Sequence, residues 1–459
     1  MRRIALVVLS TLALACSAIR ATPAPSDQVS VAPAAPSATL VAASPSSAAL
    51  SPSPRASATP IPSVSASPAT PTPSPQETGM VATATPPPPV ATLSPDAVGW
   101  VRIDTDVFAN DPGFESSATN NGVTVVSGGL ITDPDSLTGY GTTWSTRDGS
   151  TWSESAFWSA LESENLNRLN VTAYRSGFLA FASKDATRDR TPETRFYSSN
   201  DGEAWQPLSS IQGVAGTDIA VSGDHLVLRA TDAKLERSLW TSSDGNNWTQ
   251  FVDASTSPIA GFDTTLVGTS LAFLAIVPTD AGLDIWRSTD GEGWTKAATF
   301  AGPTYFTGEA GGQIAAGERG LVLTAWFEID PNPNDMSWRV RDEAWWSSDG
   351  MNWEKVPEPP TDVTVVLAYG NGFVAGAYAD AGGCCGGTGI WDGRGEGETW
   401  VSDDGKSWHL VQTTGWKNQA PTVLEINGGT LIALSIDPRD LYLTPPAGLW
   451  LANVDTFGR

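Results

Sequence analysis

The chain has 459 residues and a net charge of −24, with only 26 lysines and arginines. Almost all of the charge lies beyond residue 97, where 47 acidic residues stand against 22 basic ones. Neutralising nucleic-acid phosphates needs clustered basic residues, so this balance excludes a nucleic-acid-binding protein and disfavours an anionic lipid surface as partner.

The N-terminus has the pattern of an export signal. Two arginines precede an apolar run at residues 4–14, which predicts a signal peptide over residues 1–15. The small residues at 13 and 15 suit ordinary signal cleavage, and followed by Cys16 they resemble the lipobox of bacterial lipoproteins. We favour lipid attachment at Cys16 over plain secretion, because a long spacer follows the cysteine. The expected location is the outer face of a bacterial cell membrane.

Residues 16–97 form a compositionally distinct segment. After Cys16 they hold 18 of the 34 prolines among Ala, Ser and Thr, and no Phe, Trp or Tyr that could seed a core. Such a composition predicts a disordered tether. No other segment is apolar over a membrane-spanning length, so we expect membrane attachment through the lipid alone. We also expect the protein to be a monomer.

A nine-residue motif recurs six times in the remainder of the chain, residues 98–459. Its pattern is aromatic-x-[Ser/Thr]-x-Asp-Gly-x-x-Trp, and its first copy runs from Trp144 to Trp152. The aspartates of the six copies are Asp148, Asp201, Asp244, Asp290, Asp349 and Asp404. Fixed repeats of this kind indicate an architecture built from repeated units.

Each part of the motif has a physical role. The aromatic residue and the Ser/Thr two places later share one face of a strand, since strand side chains alternate. Asp-Gly forms the turn, because glycine takes a positive φ and the carboxylate accepts backbone N–H groups. The last tryptophan begins the returning strand and covers the turn. The motif therefore predicts a strand–turn–strand unit.

A second repeat, a turn residue followed by an apolar run, precedes each of these units. Gly177 to Ala180 and Gly372 to Ala375 are examples, and the repeat occurs seven times. Most copies follow another short β-prone run, so each unit is predicted to have four antiparallel strands. We name them A to D from the inside outward.

The excess of one apolar run over the Asp-Gly motifs predicts how the domain closes. The seventh unit keeps an aromatic residue, Trp450, but has no Asp-Gly turn and no fourth strand. Near the other end, Trp100 to Ile103 has the pattern of a D strand without partners. We therefore predict an all-β, seven-bladed β-propeller of four-stranded antiparallel blades, in which the N-terminal strand completes the last blade and removes open edges.

The motif resembles the Asp-box, or bacterial neuraminidase repeat, of sialidase-like β-propellers, in a divergent form with one residue fewer between Asp and Gly. In that family the boxes are structural and lie away from the active site. The family's carboxylate-binding arginines and Tyr–Glu pair have no convincing match: Arg102 lacks the following proline and is predicted on an outer strand. We therefore assign no catalytic residue.

Other chemistries have weak support. His225 and His409 lie in strand-like runs and are interpreted as ordinary strand residues. The acidic segment 330–335 could hold calcium, but a solvated turn is the favoured interpretation. We expect no cofactor and no metal.

The long insertions fall between strands B and C, which places them together on one face of the ring, opposite the Asp-Gly turns. Long loops on a rigid scaffold are the usual binding elements. Cys384 and Cys385 lie in one of them, either as a disulfide between neighbours or as two thiols. The candidate ligand-binding residues of these loops are Tyr140, Arg188, Arg190, Trp338, Arg339, Arg341, Trp391, Arg394 and Tyr442.

Two functional hypotheses follow. The favoured one is a non-catalytic propeller that is displayed outside the cell and binds a glycan or an envelope protein through the B–C loops. The alternative, implied by the resemblance, is a sialidase-like exo-glycosidase that uses the same face.

Overall fold

The computed structural model describes residues 99–453, except 104, 106, 109–112, 134–137, 162–165, 167, 185–190, 254–256, 262–263, 303–309, 330–338, 380–395, 412–415, 417–419 and 437–447. The predicted signal peptide and tether, with Cys16, therefore lie outside the described residues. Within them, no helix is long and apolar enough to cross a membrane.

Seven sheets of four antiparallel strands form the fold, and strands are numbered along the chain. Strand A of blades 1 to 7 is β2 (Gly113–Asn120), β6 (Arg168–Tyr174), β10 (Val214–Ser222), β14 (Thr265–Gly268), β18 (Ala310–Gly317), β22 (Val363–Tyr369) and β26 (Ala420–Asn427). Strand B is β3 (Val123–Asp133), β7 (Gly177–Lys184), β11 (His225–Asp232), β15 (Phe273–Thr279), β19 (Gly320–Ile329), β23 (Gly372–Ala379) and β27 (Thr430–Ile436).

The outer strands complete the blades in the same order. Strand C is β4 (Thr138–Thr146), β8 (Glu193–Ser199), β12 (Arg237–Ser242), β16 (Gly282–Ser288), β20 (Arg339–Ser347), β24 (Glu396–Ser402) and β28 (Gly448–Asn453). Strand D is β5 (Ser153–Glu154), β9 (Gln206–Gln212), β13 (Thr249–Asp253), β17 (Thr295–Ala301), β21 (Trp353–Lys355), β25 (His409–Val411) and, in blade 7, β1 (Val101–Ile103). A short helix, α1 (Ala156–Ser159), and a 3₁₀ turn (Pro258–Ala260) lie in D–A connections.

The predicted closure of the ring is confirmed. Strand β1 pairs antiparallel with β28, with Arg102 opposite Trp450. Blade 7 therefore takes three strands from the end of the chain and one from the beginning. The inner strand β2 of blade 1 contacts β6 on one side and β26 of blade 7 on the other, so the blades form a closed ring. The seven-bladed, all-β prediction is correct.

The core consists of seven buried apolar clusters, one between each pair of neighbouring blades. Side chains alternate along a strand, so a central strand supplies two interfaces at once. Val125 on β3 packs toward blade 2, and its neighbour Val126 packs toward blade 7. This explains why the B strands read as continuous apolar runs.

Six turns join strands C and D of blades 1–6, and all six share one hydrogen-bond network. In blade 2, Ser199 Oγ donates to Asp201 Oδ1 (3.0 Å) and accepts the backbone N–H of Gly202 (2.8 Å). Asp201 Oδ1 also accepts the N–H groups two and three residues later, each at 2.9 Å. The Trp205 indole donates to the Gly202 carbonyl (3.0 Å). The aspartate and the glycine thus have the roles predicted for them, and the serine hydroxyl adds hydrogen bonds that were not predicted from the sequence.

The glycines of these turns also contact the preceding blade. They have φ between +73° and +84°, a conformation that other residues rarely adopt. A Cβ at Gly202 would lie 2.3 Å from Val125 of blade 1, and one at Gly291 would lie 2.5 Å from Val227 of blade 3. The turns therefore pack closely against the preceding blade, and at Gly202 and Gly291 there is no space for a side chain.

The antiparallel strand order defines two faces. The C–D turns and the A–B turns share one, which we call the Asp-Gly face. The B–C and D–A connections share the other, which we call the B–C face.

Candidate functional site

Three of the predicted ligand-binding residues lie on strands rather than in loops. Tyr140 is part of β4 and pairs with Leu130, while Arg339 and Arg341 belong to β20. The prediction that these residues lie in loops was wrong. The B and C strands of blades 1 and 5 continue to pair up to these residues, beyond the point at which the sequence indicated that the strands end. Only the backbone of Tyr140 and Arg339 is described. Those outside the described residues are Arg188, Arg190, Trp338, Cys384, Cys385, Trp391, Arg394 and Tyr442.

Arg341 has a defined environment on blade 5. Its Nε lies 2.9 Å from Glu343 Oε1, and Lys355 Nζ lies 2.8 Å from the same oxygen. The Glu343 side chain is 8% exposed, whereas that of Arg341 is 41% exposed. The guanidinium also stands 5.7 Å from the centre of the Phe327 ring. Two cations thus neutralise a buried carboxylate, and part of Arg341 remains available at the surface.

Polar side chains on the inner strands link neighbouring blades. Glu115 Oε2 on blade 1 accepts the backbone N–H of Leu169 on blade 2 (2.8 Å). Gln313 on blade 5 bonds two backbone groups of blade 6, the Thr364 carbonyl (2.7 Å) and the Val366 N–H (3.2 Å). These groups satisfy the free edges of the innermost strands, so their first role is to hold the ring together.

Asp218 on blade 3 combines this linking role with charged neighbours. Its Oδ2 accepts the N–H of Leu266 on blade 4 (3.1 Å) and lies 3.9 Å from the Arg229 guanidinium. Burial raises the pKa of Asp218, although the positive charges of Arg229 and Arg168 act in the opposite direction. The Asp218 side chain is still 28% exposed, so it remains in contact with solvent.

A second inner carboxyl group lies nearer the Asp-Gly face. Glu425 on blade 7 accepts a hydrogen bond from the Thr119 hydroxyl of blade 1 (2.9 Å). Burial raises the pKa of Glu425, and the hydroxyl groups of Ser117 and Thr119 oppose that shift. Among the described residues, no group of His, Cys, Asp and Glu is arranged to hold a metal ion.

Sequence reasoning missed the inner-strand residues Glu115, Asp218, Arg229 and Gln313. They belong to no repeated motif, and acidic residues are too numerous for composition to single them out. Glu115 is the extra residue of a β-bulge between Phe114 and Ser116. Bulges often redirect a side chain near functional sites, but they cannot be recognised from one sequence.

No family model matches the chain, and no curated sequence matches it. Among solved structures, the alpha-L-arabinanase of Penicillium chrysogenum is 11% identical, with a TM-score of 0.42 over 78% of this chain and 98% of that one. The alpha-L-arabinofuranosidase of Fusarium graminearum is 12% identical, with a TM-score of 0.43 and the same coverage.

The acylaminoacyl peptidase of Pyrococcus horikoshii is 11% identical, with a TM-score of 0.46 over 76% of this chain and 52% of that chain. Identities this low concern the fold alone. The class that the strand order itself defines is the seven-bladed β-propeller.

Proposed function

We propose that this protein is a non-catalytic binding propeller that contacts a glycan or an envelope protein through its B–C face. The observation that carries the proposal is the difference between the two faces. On the Asp-Gly face, six turns repeat one closed hydrogen-bond network, so their polar groups are already paired. On the B–C face, the connections differ in length and composition from blade to blade, as binding surfaces on rigid scaffolds do.

The inner-strand geometry supports binding rather than catalysis. Glu115, Asp218 and Gln313 each bond to the backbone of the next blade. A side chain that bonds to the backbone of the next blade is held in one position by that bond. These residues therefore suit a rigid frame that joins the inner strands.

We further propose that the chain is a divergent member of the Asp-box, sialidase-like propellers. The turn geometry supports this, because Ser/Thr, Asp, Gly and Trp each have a defined structural role in all six copies. Export and anchoring through Cys16 are part of the same proposal. Labelling cells with a radioactive fatty acid should mark the protein, and Cys16→Ser should abolish the label; a label retained in the variant would contradict lipidation.

The face assignment can be tested by orientation on a surface. Lys234 lies in the B–C turn of blade 3, and Asn246 lies in the Asp-Gly turn of the same blade; both are exposed. An azide-bearing amino acid at either position allows coupling of the purified domain to a support. Immobilisation through residue 246 should leave binding of bacterial cell-wall fragments and envelope proteins intact, and immobilisation through residue 234 should reduce it severalfold. Equal binding in both orientations would refute the B–C face.

A glycosidase is the second candidate, and one observation favours it. The carboxyl group of Asp218 has a raised pKa and two arginines nearby. Burial that disfavours the charged form of a carboxyl group is one way in which proteins prepare a general acid. Turnover of fluorogenic sialosides or other glycosides by the native chain, abolished in Asp218→Asn, would establish this activity. A native chain without turnover on that panel would favour the binding function.

A further inference from the structure

Blade 5 carries an unusual row of residues near the B–C face. Trp326 on β19 lies between Gly311 on β18 and Asp342 on β20, each directly opposite it in the register. Directly opposed residues of antiparallel strands project on the same side of the sheet, with Cβ atoms about 5 Å apart. A Cβ at Gly311 would lie 2.7 to 2.8 Å from indole atoms Nε1, Cε2 and Cζ2. The indole therefore packs on the backbone of the innermost strand.

This side of blade 5 faces blade 6. Val322 projects on the same side of β19 as Trp326, and Ala344 projects on the same side of β20 as Asp342. Both Val322 and Ala344 pack in the apolar cluster between blades 5 and 6. Asp342 Oδ2 accepts the backbone N–H of Asp362 (2.8 Å), which lies in the connection from blade 5 to blade 6. Trp326 and Asp342 thus lie together where blades 5 and 6 meet, toward the B–C face.

Trp326 departs from the internal repeat. In the register, the equivalent positions of blades 1 to 4 hold Gly129, Ser183, Thr231 and Pro278. Blade 6 has Tyr378 there, but its side chain is only 3% exposed. Trp326 is half-buried and belongs to none of the seven buried apolar clusters described for the ring. A large aromatic side chain that the core does not use is a typical anchor of a binding site.

We propose that Trp326 and Asp342 form a subsite for a neutral sugar ring. The exposed part of the indole packs against the apolar C–H face of the sugar, and Asp342 Oδ1 accepts a hydrogen bond from a sugar hydroxyl. The net charge of the domain, −25 beyond residue 97, disfavours anionic sugars. The inference rests on the proposed function, since it names the ligand class of the B–C face.

The test uses hexasaccharides of glucose, mannose, galactose and N-acetylglucosamine as probes. Calorimetry and saturation-transfer NMR with the full chain would identify the sugars that bind. Trp326→Ala should weaken the affinity about tenfold or more, Trp326→Phe about threefold and Asp342→Asn about threefold. The control is Trp286→Ala on blade 4. Trp286 is also half-buried but packs against the apolar cluster between blades 3 and 4, so this variant reports the loss of an indole from the ring away from the subsite. It should retain the native affinity.

The outcomes separate the two levels of the proposal. Selective loss in the Trp326 variants, with native circular dichroism, would support the subsite. Native affinity in Trp326→Ala would overturn the subsite while retaining glycan binding. No binding of any hexasaccharide to the native chain would overturn the sugar assignment, and the orientation experiment would still report on the B–C face.

Discussion

Blades 1–6 and blade 7 achieve the same four-stranded sheet by different means. In blades 1–6 a covalent turn joins strands C and D, and its tryptophan bonds to the turn glycine. Trp205 also donates to Thr143 on strand C of the preceding blade (3.2 Å). In blade 7, Trp100 has no turn glycine but donates to Thr399, the equivalent residue of blade 6 (2.7 Å).

Trp205 and Trp100 both bond to the preceding blade, one with a covalent turn before it and one without. Trp100 also packs at a tilted angle against Trp416 (5.0 Å between ring centres), and Trp416 in turn contacts Trp450 (5.5 Å). A three-residue strand alone would contribute little, so this aromatic cluster replaces the covalent turn. Blade 7 is therefore completed without a covalent turn, by aromatic packing and a hydrogen bond to blade 6.

Breaking the closure should have the largest effect. Trp100→Ala removes a side chain that is only 7% exposed, and we expect it to lower the free energy of unfolding by about 3–5 kcal/mol. Denaturant titration followed by fluorescence measures this. Val101→Ala, at a 38% exposed position on the same strand, is the control and should change it by less than about 1 kcal/mol. Similar effects of the two variants would refute the role of Trp100.

The second-largest effect on stability should come from the close contact between an Asp-Gly turn and the preceding blade. Gly202→Ala places a Cβ 2.3 Å from Val125 Cγ2 at φ +77°, whereas Gly245→Ala meets its nearest atom at 3.3 Å at φ +73°. Both variants carry the conformational penalty of about 1–2 kcal/mol, and only the first adds overpacking of about 1–3 kcal/mol. Thermal denaturation of the two variants measures the cost of the close contact as the difference between their losses of stability. Equal destabilisation would show that backbone conformation alone matters.

The hydrogen bonds within a turn should contribute less to the free energy of unfolding than the contact of the turn with the preceding blade. Ser199→Ala removes the hydroxyl that bonds Asp201 and Gly202, and we expect a loss of about 1–2 kcal/mol. Ser210→Ala, on the outer strand of the same blade, serves as the control for the loss of a hydroxyl. A loss below about 0.5 kcal/mol in Ser199→Ala would contradict the assigned role.

The smallest effect should be seen in how the stability of the protein depends on pH. The N–H groups of Gly293 and Glu292, with the Ser288 hydroxyl, lower the pKa of Asp290 to about 2. Because the folded-state pKa is below the unfolded value of about 3.9, this stabilisation is present above pH 4 and is lost as the pH falls toward 2. In Asp290→Asn, the melting temperature between pH 4 and 2 should fall less steeply than in the native chain. An unchanged slope would contradict the shift.

The repeat predicted the architecture because the information is local. Each Asp-Gly motif specifies its own turn, through a glycine at positive φ and a carboxylate within reach of the next N–H groups. Counting the motifs and apolar runs therefore predicted seven blades, and the unpaired ends of the domain predicted the pairing of Trp100's strand with the strand of Trp450.

The site depended on the tertiary structure. Trp326, Gly311 and Asp342 come together only through strand register, and so do Asp218 and Arg229. Asp218 meets Leu266 only because blades 3 and 4 pack side by side. The predicted loop positions of Tyr140, Arg339 and Arg341 failed for the same reason, since the length of a strand ladder depends on what its partner can pair with. The amino-acid sequence by itself determined the repeating unit, its turns and the number of blades, because these follow from local conformation and periodicity. Which side chains meet across strands and between blades was decided by contacts between residues far apart in the chain.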